Sequence, residues 1–576
     1  MDLLVPRRLE NQDLLSSEEF DCYDGFGHGI FQGRLLLLFS LVIFVKNCHV
    51  YATTLTMGEV DHWCKRPQHW NMSTQEWKNA AIPLEADGLY SRCHQYANPY
   101  KSNDTSTVPC TAWEYDEDQA ATSMVSQWDL VCDRRFLRVV LAFLNAAGLT
   151  TFGIAAGSIA DAVGRRPVLM GTTASLLAST TILCLGGTFP VHAVAKIIAS
   201  GSTAAQTIIA GILFFEVTIH ENRPLHVVIA CAAAVVFSEL WLTVMRHVTI
   251  HWALKQAVFL APTFLSAAAF FVGVESPRWL VAKARFQEAE DVMLAAAETN
   301  LFPLYNTACL LDKLKGKATG SSHPTQRTGS VEMLQGVSIR KRAMAIFFTY
   351  FSVYFVLQIV LHYSLRQQSL TLHCISFALV VVSFAGMLYV ITRVTLLQFI
   401  SACFAVLCVL QCMSSLAITT DSPVVKQGLV MSAKALVFIG YIVLATFSLE
   451  LFPTAVRGTS SGWIYGFGGL GAVMASVSIM LTMVVREDVC FAVAGTLMFA
   501  SFLVLRTLPR NTTAECAKIA VQCAPVFREQ NVERMKKTLE QREGRDIREP
   551  SYRGKRFKSS NGSEKPAGSS HSRHVK

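Results

Sequence analysis

Gly157-Ser158-Ile159-Ala160-Asp161-Ala162-Val163-Gly164-Arg165-Arg166-Pro167 is a charged hinge between two long apolar runs, residues 137–160 before it and 168–189 after it. Each run is long enough to cross a hydrocarbon core of roughly 30 Å as a helix. Glycine and proline let the chain reverse tightly between them. The adjacent arginines hold that reversal on the cytoplasmic side, where Lys and Arg accumulate in short loops. Asp161 stays ionised there only beside a basic partner or the positive end of a helix. Two spans joined by such a hinge point to an all-α polytopic membrane protein.

The rest of the chain agrees. Of its 576 residues, 52% are hydrophobic and only 16% charged, which excludes an ordinary soluble domain and fits repeated apolar stretches of membrane-crossing length. The net charge of +9 suggests nucleic acid, but its distribution rules that out. Residues 511–576 hold 15 Lys/Arg against 8 Asp/Glu, so +7 of the excess sits in one polar tail. A basic tail beside a last span is attracted to anionic lipid.

Twelve spans are expected. The cytoplasmic N-terminus covers 1–32 and has no signal-peptide pattern. Span 1 covers 33–55, a polar loop 56–136, and spans 2–6 lie within 137–273. A polar central loop, partly helical, occupies 274–342, spans 7–12 lie within 343–508, and the tail covers 509–576. The polar loop holds Cys64, Cys93, Cys110 and Cys132 with the sequons at Asn71 and Asn103. Disulfides and glycans both require the extracellular or lumenal face. Four cysteines allow three pairings, which spacing does not rank. Starting inside, twelve spans place this loop outside, and Arg165, Arg166, Arg223, Arg278, Arg340, Arg393, Arg457 and the tail inside, as the positive-inside rule asks.

The halves also repeat. Glu216 and Arg223 stand seven apart after span 4, and Glu450 and Arg457 stand seven apart after span 10. Pro277-Arg278 follows span 6 and Pro509-Arg510 follows span 12. Two unrelated markers thus recur at nearly one offset, the mark of two six-span repeats that enclose a site near the bilayer midplane.

The hinge resembles the loop between helices 2 and 3 of the major facilitator superfamily, written G-x-x-x-D-R-x-G-R-R/K, with Ala162 where that pattern has arginine. Asp61-His62-Trp63-Cys64, Gln127-Trp128-Asp129-Leu130-Val131-Cys132, Glu275-Ser276-Pro277-Arg278-Trp279 and Glu450-Leu451-Phe452-Pro453-Thr454-Ala455-Val456-Arg457 follow in order around the spans. Together they are similar to the organic cation, anion and zwitterion transporter family, over about residues 30–510. Spans 7 and 8 lack that family's polar and proline pattern, so the chain looks like a divergent branch. The resemblance implies the major facilitator fold, with twelve transmembrane helices in two six-helix pseudo-repeats and a large extracellular loop after helix 1. It also implies alternating access at the plasma membrane, driven by substrate or ion gradients. No G-x-x-x-x-G-K-S/T phosphate loop, H-E-x-x-H or C-x-x-C pair occurs, so no ATP-driven engine, metal site or cofactor is expected.

Three charges lie deep in spans, where they are costly and usually functional: Lys46, Glu239 and Lys434. The resemblance makes helices 1, 4, 7 and 10 the cavity wall, which favours the lysines as substrate contacts. The alternative is a structural ion pair between Glu239 and either lysine. At the helix 11 position that carries the substrate-matching charge in the family stands Gly466, beside Tyr465. Trp241, Trp463 and Tyr354 are further ring faces able to hold a cation. His49, His362 and His373 are candidate protonation sites, although a histidine near a helix end is more often polar surface. Gly157, Asp161, Gly164, Arg165, Arg166, Glu216, Arg223, Glu450 and Arg457 are expected to form a cytoplasmic gate, weakened by Ala162. The expected activity is transport of a small organic ion, with a coupling or exchange ion. Two lysines against one glutamate lean towards an anion or zwitterion, with an organic cation or a transport-deficient receptor as alternatives. No enzymatic constellation is present.

Overall fold

In the computed structural model, described over residues 25–508 apart from 59, 68–71, 86–87, 98–105, 117–120, 219–222, 321–336, 366–368, 421, 453, 455 and 482–485, twelve helices are long and apolar enough to cross a membrane. They are α1 Ile30–Thr56, α2 Phe136–Val163, α3 Arg165–Cys184, α4 Phe189–Val217, α5 Arg223–Arg246 and α6 Trp252–Val272, then α7 Val337–Leu365, α8 Leu370–Ile391, α9 Leu396–Thr419, α10 Pro423–Leu451, α11 Arg457–Leu481 and α12 Glu487–Leu505. Helical backbone satisfies its own polar groups, which is what a hydrocarbon solvent demands. Local signals set several starts: Pro167, Pro190 and Pro423 lie in first turns, where their missing N–H is harmless. Thr395 and Gln398 form a capping box on α9. One span departs from a continuous helix. In α6, residues Ala261–Ala268 wind as a tighter 3-10 segment, beginning where Pro262 cannot supply an N–H.

Burial separates an inner ring from an outer one. The most buried spans are α4, α7, α10 and α1, at 89%, 72%, 67% and 61% of their apolar windows. These occupy equivalent places in the two halves, first and fourth of each six. The halves meet through α2 against α11 and α5 against α8, pairings that exchange when each number moves by six. The sequence repeat is therefore also a spatial pseudo-two-fold.

The long loop between α1 and α2 carries two short antiparallel pairs, β1 His62–Cys64 with β4 Trp113–Tyr115, and β2 His94–Tyr96 with β3 Thr107–Pro109. Of the three pairings open to its cysteines, Cys64–Cys110 and Cys93–Cys132 form. The sequon residues Asn71 and Asn103 lie outside the described residues, as do 1–24 and the basic tail. Between α6 and α7 run helices Pro277–Ala282, Phe286–Thr299 and Leu304–Gly320. They dock onto the same end of the bundle as the hinge: Asn300 Oδ1 accepts from Phe31 N at the start of α1, 3.0 Å away.

Candidate functional site

At the hinge end, α2 and α11 touch backbone to backbone. A Cβ on Gly157 would collide with the carbonyl oxygen of Gly458, so only glycine permits this approach. Gly164, at φ 127°, supplies the reversal from α2 into α3. The approach aims the Asp161 carboxylate at the first turn of α11, where it accepts from Thr459 N (2.6 Å), Thr459 Oγ1 (2.9 Å) and Gly458 N (3.2 Å). A carboxylate from one half thus caps a helix of the other.

Arg165 is fully buried and pairs with Asp161 (3.1 Å) and Glu216 (3.3 Å) in its own half, while its Nη2 donates to the Thr454 carbonyl of the other half (3.3 Å). Arg457 returns the link, reaching Glu216 at 3.1 Å. Glu450 lies within electrostatic reach of Arg223 and Arg457. The repeated Glu and Arg therefore exchange partners across the pseudo-two-fold. Glu275 closes the rim by accepting from Arg165 N (2.8 Å) and Arg166 N (3.1 Å), and Trp279 Nε1 donates to the Asp161 carbonyl (3.2 Å).

Two expectations are corrected here. The Arg166 side chain is exposed, outside the buried cluster. Ala162 is also exposed, so the missing arginine takes a charge from the rim and leaves the internal donors in place.

Near mid-span a second junction closes the halves. Lys46 of α1 reaches across to three tyrosines of the other half. Its Nζ lies 5.0 Å from the Tyr441 ring centre, 5.3 Å from Tyr465 and 5.9 Å from Tyr354, and donates to Tyr441 Oη at 2.9 Å. The hydroxyls continue from Tyr354 to Tyr441 (3.3 Å) and Tyr465 (3.2 Å). Beneath them lies a cavity of about 50 Å³, lined among others by Lys46, Thr207, Cys231, Tyr350, Ser448 and Ser461. Pockets that take organic ligands run to roughly 300 Å³ or more, so this conformation is closed around its centre. A larger hollow of about 350 Å³ lies in the long loop and is lined only by that loop and the start of α2. It has no wall from the second half.

Glu239 and Lys434 stand towards the long-loop end. They pair at 2.6 Å across the halves, α5 to α10, and Tyr51 Oη donates to the same carboxylate at 2.6 Å. Neither lines the cavity, so the direct substrate contact expected of Lys434 gives way to the ion-pair alternative. Gly466 is turned away too: a Cβ there would meet Ile154 of α2 at 2.8 Å, placing it in the α2–α11 seam. Trp241 donates to the Phe259 carbonyl, away from the cavity. The surface reading of His49 and His373 is a further correction, for both are buried, His49 with Nε2 3.2 Å from Thr263 Oγ1 of α6.

Sequence reasoning missed Tyr350, which stands one turn before Tyr354 on α7 and was readable from that spacing, and Tyr441, which is the one tyrosine of α10 and carried no such signal. It also missed Lys196, a buried α4 lysine that donates to the His49 carbonyl at 2.7 Å.

No protein-family model matches this chain. It is 24% identical over 486 residues to mouse solute carrier family 22 member 7, covering 79% of this chain and 88% of that protein. It is 25% identical over 485 residues to human solute carrier family 22 member 13, covering 79% and 83%. Among solved structures, the proton:xylose symporter XylE bound to 6-bromo-6-deoxy-D-glucose superposes with a TM-score of 0.57 at 15% identity, over 84% of this chain and 98% of that one. Inward-open XylE from E. coli gives 0.53 at 15% identity, over 85% and 100%. The structural likeness is one of fold.

Proposed function

We infer that this chain, a divergent member of the organic cation, anion and zwitterion transporter family of the major facilitator superfamily, carries small organic ions across a membrane, and that its preferred cargo bears a carboxylate. The support for that preference is the charge of the enclosed cavity. Among the described lining residues Lys46 is the one charged side chain and no carboxylate is present, whereas Lys434 is neutralised by Glu239. Lys46 has three N–H donors, and the tyrosine hydroxyls beside it can turn to donate as well. In a water-poor site such charge-assisted bonds count for more than at a surface.

Alternating access then follows from two junctions that open in turn. The hinge-end latch faces the cytoplasm and the Glu239–Lys434 pair faces outward at the plasma membrane. Opening the latch breaks the bonds of Asp161 to α11, of Glu216 to Arg457 and of Arg165 to Thr454. It leaves no buried charge stranded, because Asp161, Arg165 and Glu216 stay paired within the first half. Arg457 keeps Thr454 Oγ1, the Leu449 carbonyl and the nearby Glu450 carboxylate in the second. That economy keeps the barrier low, since a lone buried charge costs several kcal/mol.

Uptake into injected oocytes, with anionic, cationic and zwitterionic probes at two pH values and two membrane potentials, tests the reading. Carboxylate-bearing probes should accumulate; accumulation of quaternary ammonium probes alone would overturn the assigned sign. The pH and voltage arms identify the coupling ion. Glycans at Asn71 and Asn103 fix the orientation: replacing both with Gln should abolish a glycosidase-sensitive shift, and a residual shift would place the tail outside.

A further inference from the structure

Three aromatic faces around one ammonium form a cation site, and here the cation belongs to the protein. Tyr354 of α7, Tyr441 of α10 and Tyr465 of α11 all come from the second half, while Lys46 enters from the first. All three centroids lie within about 6 Å of Nζ, the range in which a ring face attracts a cation. Lys46 is 8% exposed and has no carboxylate among the described cavity residues. The rings and the Tyr441 hydroxyl are its visible compensation. The rings therefore do for Lys46 what they would do for a solute ammonium.

We propose that Lys46 is a tethered occupant of a latent organic-cation site, and that this one side chain sets the sign of the cargo by filling the cage and presenting its own positive charge to the solute. The proposal rests on the carboxylate preference inferred above for the same cavity but makes a separate claim about the cage. Removing the ammonium should free the ring faces and delete the repulsion together. Methionine keeps the apolar stem of lysine out to Cε and lacks the ammonium, and glutamine keeps a polar tip, so Lys46→Met and Lys46→Gln test the claim with small changes of volume.

Purified wild type, Y441L, K46M, K46Q and K46M/Y441L would be titrated with tetramethylammonium, following thermal stabilisation and binding of the radiolabelled ion. K46M or K46Q should bind it at least on the order of tenfold more tightly than wild type, as expected for a desolvated cation–π site, and K46M/Y441L should lose the gain. Monodisperse K46M and K46Q with no gain in binding would refute the proposal. The wild-type arm holds whatever the variants do. If wild type binds tetramethylammonium and Tyr441→Leu abolishes it, the cage is open with Lys46 in place and the proposal is wrong. Carboxylate uptake by wild type is read separately. Its failure alongside a gain of binding in K46M would remove the carboxylate preference and keep the cage.

Discussion

Replacing Asp161 by Asn keeps the shape of the side chain and removes its charge. In the latched state the carboxylate accepts two N–H groups and one hydroxyl from α11. The amide retains one acceptor oxygen and turns an NH₂ towards donors. A lost cap is worth about 1 kcal/mol, and a weakened charge-assisted bond about 1.5–3 kcal/mol. The Asp161–Arg165 pair lies within one half and is lost in both conformations, so it cancels. The latch should weaken by about 2.5–4 kcal/mol, a shift of roughly 70- to 900-fold towards the cytoplasm-open state. Cys231 lines the closed cavity at 7% exposure and reports that shift directly. With the other free cysteines replaced by serine, a membrane-impermeant maleimide applied from the cytoplasmic side should modify Cys231 faster by a comparable factor in D161N. Uptake should fall while surface expression holds. If D161N reaches the surface, and neither Cys231 modification nor uptake changes, the latch reading is refuted.

At the outer junction, Glu239→Gln or Lys434→Met alone should destabilise the purified protein by about 3–5 kcal/mol, because each strands a buried charge. The double variant should recover much of that loss in thermal melting; equal losses in single and double variants would show that the pair is not coupled. Gly458→Ala places a Cβ 2.5 Å from Asp161 Oδ1 and should speed cytoplasmic modification of Cys231 as D161N does, whereas slowed modification would contradict the close-contact role. In the long loop, burial holds His62 below its ordinary histidine value, against the opposing pull of the Val60 carbonyl. A group depressed in the folded state favours folding above its unfolded value of about 6.5 and loses that contribution as pH falls below it. Amide protection in the loop, taken relative to the intrinsic exchange rate at each pH, should therefore fall under mild acid, and His62→Gln should flatten the trend; a wild-type loop that is more protected at acid pH would reverse the sign.

Span number, the two-fold repeat and the hinge were legible because hydrocarbon imposes length and composition on each helix, and because charges that exchange partners across a two-fold recur at one spacing. Glu216/Arg223 and Glu450/Arg457 are such a case. The depth of Lys46, Glu239 and Lys434 could be counted along their helices, but their azimuth could not. That is why Lys434 read as a cavity residue and proved paired with Glu239; Gly466, singled out by the family resemblance, instead faces Ile154 in the α2–α11 seam. His49 was misjudged for a related reason: nearness to a helix end says nothing about a neighbouring helix that covers it, as α6 does through Thr263. The tyrosine cage joins four helices, so its signal is spread over residues 46, 354, 441 and 465 and emerges only when the halves are docked. Loop pairing of the cysteines likewise depended on the short strands that bring Cys64 near Cys110.

The carrier mechanism itself is most directly tested by counterflow. Purified protein in liposomes without ATP, preloaded with an unlabelled aryl carboxylate, should take up the labelled carboxylate transiently above its equilibrium level, and preloading should accelerate entry over empty vesicles. A carboxylate that enters at the same rate with or without preloading, or no faster than in protein-free liposomes, would contradict alternating-access transport of this cargo.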